Sequence, residues 1–338
     1  MEQINTPPEL IQLIKDRKIL FIASKKKDYL RIVQELRMLS ETGLNCEAIC
    51  FNDRSYVRRM IKLVWRLLFL RTSDYDVIFV SFLPQMVIPF FFWKWRRKTV
   101  VTDFFISVYD TLVNDRKKFR DGTMFSKILW HIDRRTLELS DYVVADTKAD
   151  AAYFSKEFHV PKERMIVWYL QADTAFYTQV EKGSSKSGKK YYSVLYFGSI
   201  LPLQGVDIVL KAVNLLADKK QIRFVIIGPT SHMQRPSGDT VTYYDWLNQE
   251  KLAEKIAEAD ICLAGHFAGD IDKAKRTIPG KAYIYRAMGK PVILGDSPAN
   301  HELFCEDHEH FFVEMGNAEA LAALIEHKYI EWEQTDHD

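Results

Sequence analysis

Short apolar runs alternate with amphipathic stretches along most of this chain. In the first half, runs that suit buried strands occupy Lys18–Ala23, Cys46–Phe51, Asp76–Phe82, Thr99–Asp103, Asp141–Ala145 and Met165–Tyr169. Stretches with helical spacing fall between several of them, at Tyr29–Thr42, Ser126–Ser140 and Lys148–Phe158. Strands that alternate with helices are typical of an open parallel sheet covered by helices. The first half is therefore predicted to be an α/β domain.

The second half repeats this alternation and adds glycines where strands end. The strand at Tyr192–Phe197 is followed by Gly198 and Ser199, and after a proline-containing loop Gly205 opens an amphipathic helix. A second strand ends at Gly228-Pro229, and further strands are predicted at Ile261–Ala264 and Val292–Leu294. A strand, a glycine turn and a helix form the usual phosphate site at the carboxyl edge of a doubly wound sheet. Neither the GxGxxG fingerprint nor a Walker loop is present.

A polar segment divides the chain into two domains of opposite charge. Residues 181–190, EKGSSKSGKK, lack apolar periodicity and are predicted to be a linker between residues 1–180 and 191–325. Residues 326–338 are predicted to form a C-terminal helix or tail that packs back on the first domain. The first 180 residues carry 29 Lys and Arg against 22 Asp and Glu, a net +7, whereas the whole chain is at +2. The basic first domain favours an anionic surface as partner.

The positive charge is concentrated in two segments. Between Arg54 and Arg71 no acidic residue occurs, and Arg54, Arg58, Lys62 and Arg66 recur every four residues, with Val57, Met60, Ile61, Val64 and Leu68 on another helix face. In the second segment, Lys94, Arg96 and Arg97 follow a cluster of Phe and Trp. A basic amphipathic helix beside interfacial aromatic residues is typical of a protein on an anionic membrane surface. Core packing is the alternative for Leu67–Leu70 and Val87–Phe92. Without an accompanying motif, nucleic acid is not expected.

A pair of cations near the C-terminal end provides the strongest functional signal. Arg276 and Lys281 flank an Ile-Pro-Gly turn that precedes the helical stretch Ala282–Met288. An arginine fork, a lysine point charge and a helix N-terminus together suit a diphosphate. The alternative is a solvated basic loop before an ordinary helix.

The same segment carries a resemblance to a known family. LYFGSILPLQGVDIVLKA, FVIIGP, AEADICL and PGKAYIYRAMGKPVI resemble the nucleotide-sugar-binding domain of the group 1 (family 4) glycosyltransferases. In the first half, segments such as KTVVTDFFISVYDT and LSDYVVADT resemble the acceptor domain of that family less sharply. The resemblance implies the GT-B fold, in which two Rossmann-like doubly wound α/β domains face each other across a cleft.

Several positions depart from the family pattern. Many members have a Glu, seven residues and a second Glu where this chain has Arg276 and Ile284, and an Arg or Lys pair where it has Ser199 and Gln204. We expect Arg276 and Lys281 to supply the missing cations and to act on the leaving diphosphate. The remaining predicted donor-binding residues lie at strand ends and in nearby loops: Gly198, Ser199, Gln204, Gly205, Gly228, His266 and Glu302.

Acceptor activation requires a different group. Asp103 directly follows a predicted strand and is the candidate base for the acceptor hydroxyl, although a turn or cap role is the alternative. No acidic motif suits a metal clamp, and the four cysteines form no CxxC pair, so we expect neither a metal nor any other cofactor. The N-terminus lacks a signal-peptide pattern.

These observations predict a glycosyltransferase that moves a sugar from a nucleoside-diphosphate sugar to the hydroxyl of a saccharide or lipid-linked saccharide. We expect it in bacterial cell-surface polysaccharide or glycolipid synthesis, in the cytoplasm and peripheral to the inner face of the membrane. One alternative is a catalytically inactive homologue that binds a glycan or a partner protein, because the Glu pair is missing. A second alternative is different chemistry on the same fold, such as a nucleotide-sugar epimerase or a phosphorylase.

Overall fold

A computed structural model describes residues 6–42, 45–179 and 190–335. The chain divides between Gln171 and Ala172 into two compact units. Each unit contains one six-stranded sheet in which all neighbouring strands are parallel. The predicted α/β fold class with two Rossmann-like domains is confirmed. Apart from Lys190, the predicted linker at residues 181–190 lies outside the described residues.

In the first unit the strands are ordered β2-β1-β3-β4-β5-β6. The strands are β1 (Ile19–Ala23), β2 (Cys46–Cys50), β3 (Val77–Ser81), β4 (Thr99–Asp103), β5 (Tyr142–Ala145) and β6 (Met165–Val167). The helices are α1 (Pro8–Ile14), α2 (Leu30–Glu41), α3 (Tyr56–Phe69), α4 (Ile88–Trp95), α5 (Met124–Glu138) and α6 (Lys148–Phe158), with a π-helical turn at Asp110–Asp115.

Alternate residues of these strands enter two different cores. In β1, Phe21 packs with α1 and α2 on one face of the sheet, whereas Leu20 and Ile22 pack with α3 and α4 on the other. This follows from the two-residue period of a strand. It also explains why the strands are apolar throughout, because both faces are covered.

In the second unit the order is β12-β11-β10-β7-β8-β9. Its strands are β7 (Tyr192–Phe197), β8 (Ile222–Ile227), β9 (Val241–Tyr244), β10 (Ile261–Gly265), β11 (Val292–Gly295) and β12 (His310–Val313). The helices are α7 (Val206–Leu215), α8 (Gln249–Glu258), α9 (Asp272–Arg276), α10 (Gly280–Ala287) and α11 (Ala318–Thr335). The rings of Tyr329 and Trp332 in α11 contact Tyr192, so these two side chains are used within the second unit. The predicted return of the C-terminal segment to the first domain stays a prediction.

A buried ion pair joins α2 to the end of β4. The Nε and Nη2 atoms of Arg31 donate to the two carboxylate oxygens of Asp103 at 2.6 and 3.2 Å, and Nη1 donates to the carbonyl of Trp168 at 2.8 Å. The Arg31 and Asp103 side chains are 1% and 0% exposed. Glu35, one turn further along α2, is also fully buried. Burial, together with the neighbouring Asp103, raises the pKa of Glu35 well above its usual value.

Removal of the Arg31 charge should strongly destabilise the first unit. We expect Arg31→Met to lower the free energy of unfolding by about 3–5 kcal/mol, because Asp103 is left as an unpaired buried charge. Urea unfolding followed by circular dichroism measures this loss. Arg37→Met changes an exposed arginine on the same helix and should stay within about 0.5 kcal/mol of wild type. Equal effects of the two substitutions would contradict the ion-pair assignment.

Glu35 should make stability depend on pH. Its folded-state pKa lies above the unfolded value of about 4.5, so its contribution is complete below that pH and is lost as the pH rises toward the folded pKa. The slope in this range is about 1.4 kcal/mol per pH unit. Glu35→Gln mimics the protonated form, so its stability advantage over wild type should grow between pH 5 and pH 8. Parallel urea titrations at the two pH values check this, and an unchanged difference would refute it.

Candidate functional site

The second sheet has its topological switch between β7 and β10. From β7 the chain continues to β8 and β9 on one side of the sheet, and then returns to β10, β11 and β12 on the other. The residues that follow the two strands are Gly198 after β7 and His266 after β10. In open α/β sheets, ligands bind at the carboxyl ends of strands at such a switch.

Two glycines allow the backbone segments around this crevice to pack closely. A Cβ atom on Gly228 would overlap the carbonyl oxygen of Gly198. Gly205 has φ +63°, and a Cβ there would lie 2.6 Å from the carbonyl carbon of Phe267. Side chains at either position would force the strand ends apart. Close backbone packing around the crevice therefore explains why glycine occupies both predicted positions.

Lys281 provides a buried cation at the switch. It lies in the first turn of α10 and is 5% exposed, and its Nζ donates to Oε1 of Gln204 at 2.5 Å. The same Nζ lies 4.0 Å from the centroid of the Tyr196 ring, and it would lie 3.0 Å from a Cβ on Gly198. Burial lowers the pKa of Lys281 well below its usual value. Among the described residues no carboxylate pairs with this amine.

His266 lies beside the same cation and beside α9. Its Nδ1 is 3.4 Å from the hydroxyl of Thr277, and the side chain is buried. Burial, together with the charges of Lys281 and Lys273, lowers the pKa of His266 to about 3. The imidazole is thus neutral at physiological pH and can offer a hydrogen bond without adding charge.

The other predicted donor-site residues differ in how they are placed. Arg276 ends α9, is 8% exposed and has its Nε 3.3 Å from Asp272. Ser199 is exposed. The N–H of Gly198 donates to the carbonyl of Ile227 at 2.9 Å. The sheet therefore already uses this N–H group, and the role of Gly198 in donor binding stays a prediction.

Glu302 lies in a short 3-10 turn, Asn300–Glu302, beside α9. The segment is held to that helix by a hydrogen bond from the N–H of Ala299 to the carbonyl of Lys275 at 3.2 Å. Asn300 is fully buried and donates to the carbonyl of Gly295. The turn is thus fixed near the end of β11, while the role of Glu302 in nucleotide binding stays a prediction.

In the first unit, the Asp103 carboxylate is not accessible to a substrate. Both of its oxygens accept from Arg31 and the side chain is completely buried. This corrects the expectation of a catalytic base at the surface of the crevice. Asp146, which follows β5 at the same sheet edge, lies 3.7 Å from Nη2 of Arg31 and its side chain is 24% exposed.

Aromatic side chains also gather at this edge, near the switch between β1 and β3. The Tyr29 and Phe105 rings stack at 6.2 Å, and the Phe82 ring contacts both. The Nζ of Lys25 lies 4.9 Å from the Phe82 centroid. Phe82 is buried, and Tyr29 and Phe105 are partly buried against the same core. The sequence did not indicate this set, nor Arg31, Glu35 and Tyr196, and only their position next to strand ends could have pointed to them.

Three of the predicted membrane-contacting cations have partners within the first unit. Lys62 pairs with Asp53 at 2.8 Å and Arg66 with Glu47 at 2.9 Å, both on the surface. The Nζ of Lys94 donates to the carbonyls of Leu67, Leu68 and Leu70 at the end of α3. These three cations are thus engaged with the protein itself, whereas Arg54, Arg58, Arg96 and Arg97 are exposed.

The described residues contain neither a membrane-spanning helix nor a cluster of metal ligands. No helix within residues 6–42, 45–179 or 190–335 has the length and hydropathy to cross a bilayer. No three His, Cys, Asp or Glu side chains in those ranges lie together as ligands for a metal ion.

Comparison with known proteins identifies the family that the second unit resembles. Residues 192–329 match the family described as glycosyl transferases group 1. No curated protein sequence matches the chain.

Several solved structures share the fold across almost the whole chain. Sucrose-phosphate synthase from Thermosynechococcus elongatus aligns with a TM-score of 0.67 and 13% identity, over 94% of this chain and 90% of that one. HepE from Anabaena, solved in complex with UDP, aligns with a TM-score of 0.63 and 14% identity, over 94% and 92%. The lipopolysaccharide outer core galactosyltransferase WaaB aligns with a TM-score of 0.54 and 13% identity, over 92% and 91%.

At 13–14% identity these structures establish the fold alone. The family match identifies the protein family that the second unit resembles. With its two parallel sheets and its matched residues 192–329, the chain resembles the group 1 glycosyltransferases of the GT-B fold.

Proposed function

We propose that this protein transfers a sugar from a nucleoside-diphosphate sugar to an acceptor hydroxyl. The donor binds at the β7–β10 switch of the second unit, and the acceptor binds at the carboxyl edge of the first sheet. The buried amine of Lys281 is the observation that carries this proposal. Its hydrogen-bond partner, Gln204, is neutral and does not compensate the charge of the protonated amine. The crevice therefore favours a negatively charged ligand.

A diphosphate leaving group satisfies this requirement. As the glycosidic bond breaks, negative charge grows on the diphosphate oxygens, and an ammonium in a partly dehydrated site stabilises it more strongly than it would in water. Arg276, on the helix before α10, supplies a second cation. HepE, which shares the fold, was solved with UDP and with UDP-glucose, and this supports a nucleotide sugar as donor. Charge stabilisation as proposed comes from protein side chains and involves neither a metal ion nor any other cofactor.

The ribose must be held differently from the family pattern. Ile284 stands where many members have a Glu, and it is 8% exposed and apolar. Tyr196 is a candidate contact for the donor, because its buried hydroxyl has no hydrogen-bond partner among the described residues. The hydroxyl would lie 3.3 Å from a Cβ on Gly198, which places it beside the turn after β7.

For the acceptor we propose a saccharide or a lipid-linked saccharide. The stacked rings of Tyr29 and Phe105, with Phe82, offer an apolar platform, and Asp146 provides a part-exposed carboxylate at the same sheet edge. Asp146 replaces Asp103 as the candidate base, since a base must reach the proton that it accepts. We further propose that the protein acts in cell-surface polysaccharide or glycolipid synthesis, on the inner face of the membrane. WaaB, a lipopolysaccharide outer core galactosyltransferase that shares the fold, supports this class of pathway.

A second candidate function is binding without catalysis. The absence of carboxylates at positions 276 and 284 favours it, because two groups that hold donor in many relatives are missing. The two functions differ in one measurement, which is release of nucleoside diphosphate from a panel of nucleotide sugars. Turnover with any of them supports the transferase. Failure with all of them, despite tight nucleotide binding, supports the binding protein.

Loss of the Lys281 charge should weaken diphosphate binding. We expect Lys281→Met to reduce the affinity for UDP by about 1.5–3 kcal/mol, the range for hydrogen bonds to charged groups. Isothermal titration calorimetry measures this, with ADP and GDP as further probes of the base. Lys275→Met removes an exposed lysine of α9 and should leave the affinity within about twofold. Unchanged affinity in both Lys281→Met and Arg276→Met would refute the site.

Binding of the diphosphate should also take up a proton. Burial lowers the pKa of Lys281 in the free protein, and a bound dianion raises it again, so the amine is protonated on binding at a pH above its free-state pKa. The affinity should fall as the pH rises through that range. Calorimetry in buffers of different ionisation enthalpy detects the uptake. Lys281→Arg, which stays charged, should bind UDP without it. Equal proton uptake by Lys281→Arg would assign the proton to another group.

A further inference from the structure

Helix α3 of the first unit has two apolar faces. Its inner face buries Leu63 and Leu67, each 1% exposed, against the sheet. The opposite face carries large apolar side chains that are exposed in the described part of the chain: Val57, Ile61, Val64, Trp65, Leu68 and Phe69. Trp65 is 60% exposed and Phe69 74%, and their rings stack on each other at 5.6 Å. Of the stripe predicted at Val57, Met60, Ile61, Val64 and Leu68, Met60 packs against the core, whereas the other four lie on the outer face.

Neighbouring helices extend this surface. In α4, Phe91 and Trp95 enter the core, while Phe90 and Trp93 are 67% and 62% exposed. Helix α5 begins with exposed apolar residues, namely Met124, Phe125 and Ile128. The amine of Lys94 fastens the end of α3 to α4, and the Arg135 guanidinium lies 5.9 Å from the Phe92 ring, which joins α5 to α4. Most of the exposed large apolar side chains of the described residues lie on these three helices.

Such a surface requires a partner. Soluble monomers rarely expose contiguous apolar patches larger than a few hundred Å². Two features favour a lipid surface as that partner. Trp and Phe at the water boundary are the residues enriched at membrane interfaces. The charges beside the patch are cationic, and Arg58, Arg96 and Arg97 donate no side-chain hydrogen bond to any described residue.

We propose that α3, α4 and the start of α5 insert their apolar side chains into the interface of an anionic bilayer. Hydrophobic insertion provides most of the binding free energy, while the arginines select anionic lipid. The ion pairs of Lys62 with Asp53 and of Arg66 with Glu47 support a smaller electrostatic contribution. They neutralise two of the four cations that recur every four residues from Arg54 to Arg66. With 14 residues, α3 is too short to span a bilayer, and it lies in the plane of the interface.

This inference says where the proposed transferase works, and its test does not depend on turnover. Full-length protein is mixed with vesicles of phosphatidylcholine alone or with 30% phosphatidylglycerol, and the bound fraction is measured by flotation at 0.1 and 0.5 M NaCl. We expect Trp65→Ser with Phe69→Ser to weaken binding at least about tenfold on the anionic vesicles, because two exposed aromatic side chains no longer leave water. Binding of the wild type should persist at 0.5 M salt, where electrostatic attraction is screened.

Two controls make the outcome decisive. Trp246→Ser removes a tryptophan of the second unit that is 77% exposed, and it should not change vesicle binding. Arg58→Gln with Arg96→Gln and Arg97→Gln should lower binding only on the vesicles that contain phosphatidylglycerol. UDP affinity by calorimetry should be unchanged in every variant, so a failure of this inference is distinguishable from a failure of the donor site.

Three results would overturn the proposal. The first is binding that the arginine variant abolishes while the aromatic variant retains it, since the contact is then electrostatic. The second is absence of vesicle binding by the wild type. The third is a dimer in solution that Trp65→Ser with Phe69→Ser converts to monomer, without vesicle binding, since the surface then belongs to a second copy of the chain.

Discussion

The nucleotide-binding interpretation depends on one ammonium group held away from water. Lys281 is buried between a tyrosine ring and an amide oxygen, in a crevice where glycines bring strand ends close together. Burial of a cation beside neutral groups is unfavourable in the empty protein. In our proposal a diphosphate offsets this cost, because it supplies the opposite charge at the topological switch of the second sheet. The neutral His266 beside it adds a polar contact without competing for the anion.

The two units treat buried charge in opposite ways. In the first unit, Arg31 is compensated by Asp103 and held by the Trp168 carbonyl, so this cluster stabilises the fold and leaves little for a ligand. In the second unit, the corresponding sheet edge keeps a cation with a neutral partner. This contrast supports our proposal that the anion binds to the second unit. It leaves the first with an aromatic platform and the part-exposed Asp146, which suit a neutral sugar hydroxyl.

Helix α3 illustrates how one segment serves two environments. Its core face holds Leu63 and Leu67 against the sheet, and its outer face presents Trp65 and Phe69 to the surroundings. A helix packed on a single sheet needs only one apolar stripe, so the second stripe is not required by the fold. Neighbouring aromatic residues of α4 continue it, which makes the surface a property of the layer of helices.

The sequence by itself determined the fold class and many of the elements. Strand β4 and helix α6 have the predicted bounds, because the apolar period of a segment fixes its local structure and the face that it buries. The resemblance, which runs over most of residues 191–303, indicated the unit expected to bind the nucleotide sugar, and Arg276 and Lys281 stood out there as cations at a helix start. Tertiary structure decided which polar groups meet. Gln204 and Lys281 are 77 positions apart and Arg31 and Asp103 are 72 apart, and no local pattern records such pairs. For that reason Asp103 looked accessible in the sequence but is enclosed in the fold, and the outer stripe of α3 could not be distinguished from its core stripe until the helix had packed.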